Sequence, residues 1–198
     1  MPDKTQEQVW DEIAHLWNKN KTMPLGSKDS IIKDFINAEK DEKVLDLGCG
    51  SGRNFISLKE AGFKGVIYGV DFSQNMLDFA EKNAEKNAEK LGIKVILKKA
   101  NVWETGFSDN FFDKVIFIAT LHCVEGKKER KKAIKELYRI LKPRGKAIIT
   151  VWNKNAKRWK NKEKERYVSW NLGEDDNKVN RYYYLYDQDE LIKELESV

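Results

Sequence analysis

The sequence predicts an α/β fold: a doubly wound, mostly parallel sheet with helices on both faces. Three observations carry that expectation. Apolar stretches of strand length alternate with longer amphipathic stretches through most of the chain. The strand-like stretches, such as KVLDLG at 43–48 and DKVIFIAT at 113–120, are almost continuously apolar, as strands covered on both faces must be. A glycine-rich turn at 48–52 then joins the first strand to a helix, where open parallel sheets bind ligands.

The elements follow in order. Residues 7–17 and 27–38 read as two helices ahead of the first strand, 43–48. A helix over Arg53–Ala61 ends at Gly62, VIYGV (66–70) is the second strand, and Ser73–Leu91 is a long helix. Its tract AEKNAEKNAEK (80–90) puts alanines 80, 84 and 88 on one stripe and charges elsewhere, a lengthened surface helix. IKVILK (93–98) and DKVIFIAT (113–120) are strands, 127–141 is a helix, and Pro143 with Gly145 turns the chain into KAIITVW (146–152). Beyond Trp152 the pattern changes. RYVSW (166–170) and RYYYLY (181–186) flank a turn-rich segment and predict a hairpin or lid. Asp187 and Glu190 then form a capping-box pair that starts a last helix.

Length, composition and charge bound the function. At 198 residues the chain is of single-domain size, divided into N-terminal helices (1–39), the alternating core (40–152), a basic insertion and lid (153–186) and a C-terminal helix (187–198). No run approaches the ~18 apolar residues of a membrane span, and MPDKTQEQVW lacks the apolar core of a signal peptide. Cys49 and Cys123 stand far apart, so neither a disulfide framework nor a metal site is expected. These features point to a reducing, cytoplasmic setting without a membrane partner. Between Lys154 and Arg166 lie seven basic and two acidic residues, a local excess equal to the whole chain's net charge of +5. Such a segment reads as a contact for a polyanion or as a solvated loop.

The strongest motif is Asp46-Leu-Gly48-Cys-Gly50-Ser-Gly52. A dinucleotide fingerprint wants glycine three residues after Gly50, but Arg53 stands there. The acid ahead of the glycines suits a ligand with positive charge and no phosphate. S-adenosylmethionine, with its ammonium and sulfonium, is such a ligand. Asp71 closes the second strand 19 residues after Gly52, near the ~20 expected for an acid that grips ribose hydroxyls. Asn101 and Val102, past the third strand, suit the adenine edge, and Phe72, Met76 and Trp103 can sandwich the ring or simply pack in the core. Three elements at three successive strand ends make residues 40–152 resemble the class I methyltransferases. That fold usually carries two more strands, so the resemblance implies either a minimal sheet or absent C-terminal strands.

A finer resemblance lies outside the shared core. WDEIAHLWNKNKTMP (10–24), IATLHCVEGKKERKKAIKELYRILKPRGKAIITVW (118–152) and RYYYLYDQDEL (181–191) together resemble the tRNA wobble-uridine carboxymethyl methyltransferase family. That resemblance implies conversion of a carboxymethyl group on the uridine base to its methyl ester. His122 matches the first of two family histidines and Cys123 replaces the second; Lys21 stands where relatives have Arg. His122, Lys21 and Arg181 are the candidates for holding the carboxymethyl group, and Tyr182 and Trp152 for stacking on the base. Lys157, Arg158 and Lys160 are the candidate tRNA contacts, with a small zinc-binding activator protein as a further partner. A carboxylate is ionised at neutral pH and needs no general base, only alignment and exclusion of water. Two other readings compete: a methyltransferase for a small metabolite, and a catalytically silent RNA- or cofactor-binding module.

Overall fold

The computed structural model describes residues 4–20, 31–36, 42–86, 94–173 and 177–198. Five parallel strands form the central sheet in the order β3-β2-β1-β4-β5: β1 Lys43–Leu47, β2 Val66–Asp71, β3 Lys94–Lys99, β4 Phe112–Ile118 and β5 Leu141–Thr150. The expected doubly wound architecture is present. Helix α1 spans Gln6–Asn20, α2 Ile31–Phe35, α3 Asn54–Glu60, α4 Gln74–Lys86, α5 Lys127–Ile140 and α6 Gln188–Glu196. Strands β6 (Glu165–Asn171) and β7 (Lys178–Tyr184) pair antiparallel as a separate two-stranded sheet, the hairpin expected from the two aromatic segments.

The apolar strands are explained by two cores. In β1, Val44 faces the layer of α2, α3 and α4, while Leu45 and Leu47 face α5. In β4, Ile116 and Ile118 join the first layer and Val115 and Phe117 the second. Successive side chains point to opposite faces, and both faces are covered, so apolar residues fill both sets of positions, with Asp46 in β1 and Asp113 and Lys114 in β4 as the polar exceptions besides Lys43 at the strand start. All of these residues but Ile118 are fully buried, and each contributes roughly 1.5–3 kcal/mol of hydrophobic stabilisation.

Three details depart from expectation. The Pro143–Gly145 turn does not start β5 afresh. It is a bulge within the strand, where the register jumps from Phe112↔Leu141 to Lys114↔Lys146 and Arg144 takes φ of 67°. Half of the capping box forms: Asp187 Oδ1 accepts from the Glu190 N–H (3.0 Å), but the Glu190 carboxylate accepts from Lys164 and Tyr184 instead of reaching back. The expected helices over 27–38 and 73–91 are seen at Ile31–Phe35 and Gln74–Lys86; Ile36 and Ser73 are not helical, and 27–30, 37–38 and 87–91, with the whole of the repeat's last unit, fall outside the described residues.

Helix α1 is fastened to the sheet by polar contacts. The Asp11 carboxylate accepts from Ser73 Oγ (2.6 Å) and from the Asn75 N–H (3.1 Å) at the start of α4. Gln6 donates to the Asn180 carbonyl (3.2 Å) and accepts from the Tyr182 N–H (2.8 Å) on β7. One helix thus spans from the core to the hairpin and carries Trp10 and Trp17 across the end of the sheet.

Candidate active site

The C-terminal ends of β1, β2, β4 and β5, the hairpin and α1 enclose a cavity of about 600 Å³. On one side lies the glycine loop. The Gly48 and Cys49 N–H groups donate to the Val70 carbonyl (2.7 and 2.9 Å), folding the loop over the end of β2. Gly48 has φ of 77°, and a Cβ there would stand 2.2 Å from the Thr120 side chain, so only glycine lets β1 and β4 approach. At Gly50, with φ of 53°, the space that a Cβ would enter is empty, which leaves bare backbone facing the cavity.

Two carboxylates sit under this loop. Asp71 Oδ2 accepts from the Gly50 N–H (2.9 Å) and Oδ1 from the Ser73 N–H (3.0 Å); burial pushes its pKa up to about 6 against those bonds. Asp46 is fully buried. One of its oxygens accepts from Asn54 Nδ2 (3.2 Å), and the other has no partner among the described residues. Burial pushes Asp46 up to about 7. A buried carboxylate oxygen with no partner is costly unless it takes a proton or meets a cation.

The opposite side of the cavity is aromatic and basic. His122, in a 3-10 turn after β4, stacks on Trp152 (5.0 Å) and Tyr183 (5.6 Å), which stack on each other at 4.0 Å. Arg158 lies over the rings of Trp152 (4.4 Å) and Trp159 (4.3 Å). The Arg181 guanidinium lies nearest Trp170 (4.5 Å), with Tyr183, Trp10 and Trp17 around it, and donates to the Tyr183 hydroxyl (2.6 Å). Burial, helped by the Arg158 charge, drives His122 down to about 3, so its imidazole is neutral at pH 7. Burial raises the Cys123 thiol and the Tyr183 phenol, so both stay protonated. Ala119, just before this turn, adopts φ of 54°, an unusual backbone for a residue with a Cβ.

Most of the residues expected from the sequence meet here. Gly48, Gly50, Arg53, Asp71, Phe72 and Met76 line one side, and His122, Trp152, Arg158 and Arg181 the other. Asp46 and Gly52 lie outside that lining, although Asp46 is buried at the end of β1 just before the loop. Several expectations need correction. Tyr182 does not face the cavity: it is followed by Tyr183, and alternation along β7 turns Tyr182 to the far side, where it meets Arg130 and Glu165. Val102 is buried in the α5-side core and Trp103 packs against it, and neither they nor Asn101 line the cavity. Trp152 presents no free face for a base, because Arg158 and Tyr183 already cover it. Lys157 and Lys160 are exposed and outside the lining. Lys21 lies outside the described residues.

Tyr183, Trp170, Trp10 and Trp17 were missed by motif reasoning. The period of two was a usable signal for the first two: Arg181 in the site forces Tyr183 in and Tyr182 out, and the register pairs Val168 with Arg181, leaving Trp170 on the same face.

Comparison with known proteins decides the family. The family model of the methyltransferase domain matches residues 45–149, more than half of the chain. The chain belongs to that family. Its cofactor is S-adenosylmethionine, and the partnerless Asp46 oxygen, Asp71 and the open Gly50 backbone fit a ligand of positive charge that carries a ribose. Among relatives, an Encephalitozoon cuniculi protein named as a methyltransferase without a stated substrate is 29% identical over 193 residues, covering 94% of this chain and 82% of that one. The demethylmenaquinone methyltransferase of Lactobacillus johnsonii is 31% identical over 154 residues, covering 75% and 61%. The 2-phytyl-1,4-naphtoquinone methyltransferase of Trichormus variabilis is 34% identical over 147 residues, covering 71% and 62%. The methyltransferase therefore spans about three fifths of the quinone enzymes it matches.

Solved structures share the fold. One is an S-adenosylmethionine-dependent methyltransferase from Methanosarcina mazei, with a TM-score of 0.71 and 24% identity over 85% of this chain and 83% of that one. Another is a chain of the complex between the Haloferax volcanii Trm112 methyltransferase activator and a methyltransferase, with a TM-score of 0.64 and 15% identity over 98% and 76%. Among the described residues no helix is long and apolar enough to cross a membrane, and no group of three His, Cys, Asp or Glu could hold a metal ion.

Proposed function

We propose that this methyltransferase esterifies a carboxylate, and that the carboxylate is the carboxymethyl group of a modified wobble uridine in tRNA. One observation carries the reading: the acceptor side holds two guanidinium groups, Arg158 and Arg181, and no lining group able to take a proton at neutral pH. His122 is neutral and a very weak base, while Cys123 and Tyr183 stay protonated. Asp71 is committed to the cofactor side by its two backbone bonds. Carbon, phenol and amine acceptors that must lose a proton as they react would find no base here. A carboxylate arrives ionised.

Bound cofactor supplies an electrophilic methyl group on sulfur. The protein's part is alignment. Arg181, held by four aromatic rings and the Tyr183 hydroxyl, offers a guanidinium of fixed orientation to an anionic acceptor. His122 offers one imidazole nitrogen, Nδ1, that has no partner among the described residues. The exposed Lys157, Lys160 and Lys162, on the segment that brings Arg158 to the cavity, supply charge for a nucleic-acid backbone. The Haloferax volcanii complex supports a small activator protein as a further partner of this chain.

The test is incubation with methyl-labelled cofactor and tRNA, followed by nucleoside mass spectrometry and mild alkali. A methyl ester on a carboxymethyl uridine, whose label leaves as methanol in alkali, is the expected result. Alkali-stable label would exclude a carboxylate acceptor. The second reading, a small-molecule acceptor, is favoured by the quinone methyltransferases among the relatives; label transferred to a small molecule, a quinone among those offered, with tRNA untouched would establish it.

A further inference from the structure

Arg130, on α5, is a buried arginine outside the cavity. It is 1% exposed, and its charge is not paired closely: the nearest carboxylate, Glu165, lies 3.6 Å away and is itself largely exposed. Burying a guanidinium is unfavourable unless its hydrogen bonds and charge are compensated. What it touches explains its presence. Nη1 donates to the Tyr182 hydroxyl (2.8 Å) and to the Val124 carbonyl (3.3 Å), and the guanidinium carbon sits 3.8 Å from the centre of the Tyr184 ring.

These contacts join two parts of the acceptor side. Val124 directly follows the turn Leu121–Cys123 that carries His122. Tyr182 and Tyr184 lie on one face of β7, and Arg181 and Tyr183 lie on the other, facing the cavity. One guanidinium therefore ties the His122 turn to the back of the strand whose front presents Arg181 and Tyr183. The Tyr182 hydroxyl donates on to Glu165 on β6 (3.1 Å), which carries the tie to the second strand of the hairpin.

We propose that Arg130 is a positioning residue for methyl transfer: it fixes the β6–β7 hairpin against the His122 turn and so sets the spacing between His122, Tyr183 and Arg181. It touches neither cofactor nor acceptor. The proposal rests on the acceptor site described above but not on which acceptor is methylated. Lysine cannot replace it, because one ammonium cannot bond Tyr182 and Val124 and also lie flat on Tyr184.

The test uses Arg130→Met, Arg130→Lys and Tyr182→Phe with three readouts. Cofactor affinity by calorimetry should stay within about twofold of wild type, since the glycine loop lies across the sheet from Arg130. Turnover of methyl groups should fall roughly tenfold to a hundredfold in both Arg130 variants, as a displacement of about 1 Å at an aligned site does. The third readout needs no acceptor. By NMR the His122 imidazole, assigned against His15, the only other histidine, should not titrate between pH 5 and 8 in wild type. In the variants the loosened hairpin should admit water, and the titration should enter that window. A folded Arg130→Met with wild-type turnover and a silent His122 would overturn the proposal, as would full rescue by lysine. If Arg130→Met fails to fold, Tyr182→Phe decides. Removing that one hydroxyl should move turnover and the His122 titration in the same direction, and wild-type behaviour in both would overturn the proposal. Absence of tRNA methylation by the wild-type protein, with the His122 titration still entering the window in the variants, would instead count against the acceptor and leave Arg130 standing.

Discussion

Single side chains divide the site into a half that binds and a half that aligns. Asp71 has its two oxygens ordered by the Gly50 and Ser73 N–H groups, with lone pairs left over for a diol, and on the proposed reading it serves the cofactor side. Asp71→Ala should weaken cofactor binding by roughly 2–4 kcal/mol, because charge-assisted bonds to the ligand vanish and the loop loses its anchor. Calorimetry checks this, and wild-type affinity would remove Asp71 from the site. His122 is proposed to serve the other side. His122→Ala should lower turnover at least ~tenfold and leave cofactor affinity within about twofold, since the imidazole stacks on Trp152 and Tyr183, across the cavity from the glycine loop. Parallel losses of melting temperature, cofactor affinity and turnover would mark it as packing alone.

Elements decide which charges are available. The basic segment 154–166 is not uniform once folded. Lys164 is bound by Asp187 and Glu190, Arg166 lies over Trp159, and Arg158 belongs to the cavity rim. Lys157, Lys160 and Lys162 remain exposed and form no ion pair among the described residues. A triple change of these three to alanine should flatten the slope of log affinity against log salt for tRNA by up to about three units. Cofactor affinity should not move. An unchanged slope in filter binding across a salt series would show that the segment is a solvated loop, and the tRNA reading would lose its main support. Arg158 is left out of that test because its loss would disturb the aromatic stack beside His122.

Across the whole molecule, the buried carboxylates are expected to couple cofactor binding to pH. Asp46 and Asp71 are held at about 7 and about 6, above an unfolded value near 3.8. A carboxylate raised in the folded state holds its proton more tightly there, so its contribution to stability is full below about pH 4 and fades as pH rises through 6–7. His122, lowered to about 3, runs the other way: its contribution is present above about 6.5 and fades as pH falls. A bound ligand of positive charge restores what the carboxylates lose and leaves His122 aside. The rise in melting temperature on adding cofactor should therefore be larger at pH 8 than at pH 5. Thermal unfolding with and without S-adenosylmethionine checks it, and an increment that is flat or shrinks with pH would show that the two carboxylates do not face the ligand's charge.

The sequence alone determined the sheet and the glycine loop at its C-terminal end. Near-continuous apolar runs in β1 and β4 can only be buried on both faces, and Gly48, Gly50, Asp46 and Asp71 stand at strand ends that sequence spacing fixes. Those signals are local, because each depends on residues within one strand and its following turn. The acceptor side is not local. Trp10, His122, Trp152, Arg158, Trp170 and Arg181 come from six separate segments, and no pattern within any one segment says that they meet. Even the choice between Tyr182 and Tyr183, which strand alternation constrains, needed one more fact: which face of β7 turns to the cavity. Burial of Arg130 against Tyr182 and Tyr184 answers it, since a guanidinium withdrawn from water must find its partners wherever the packed chain brings them.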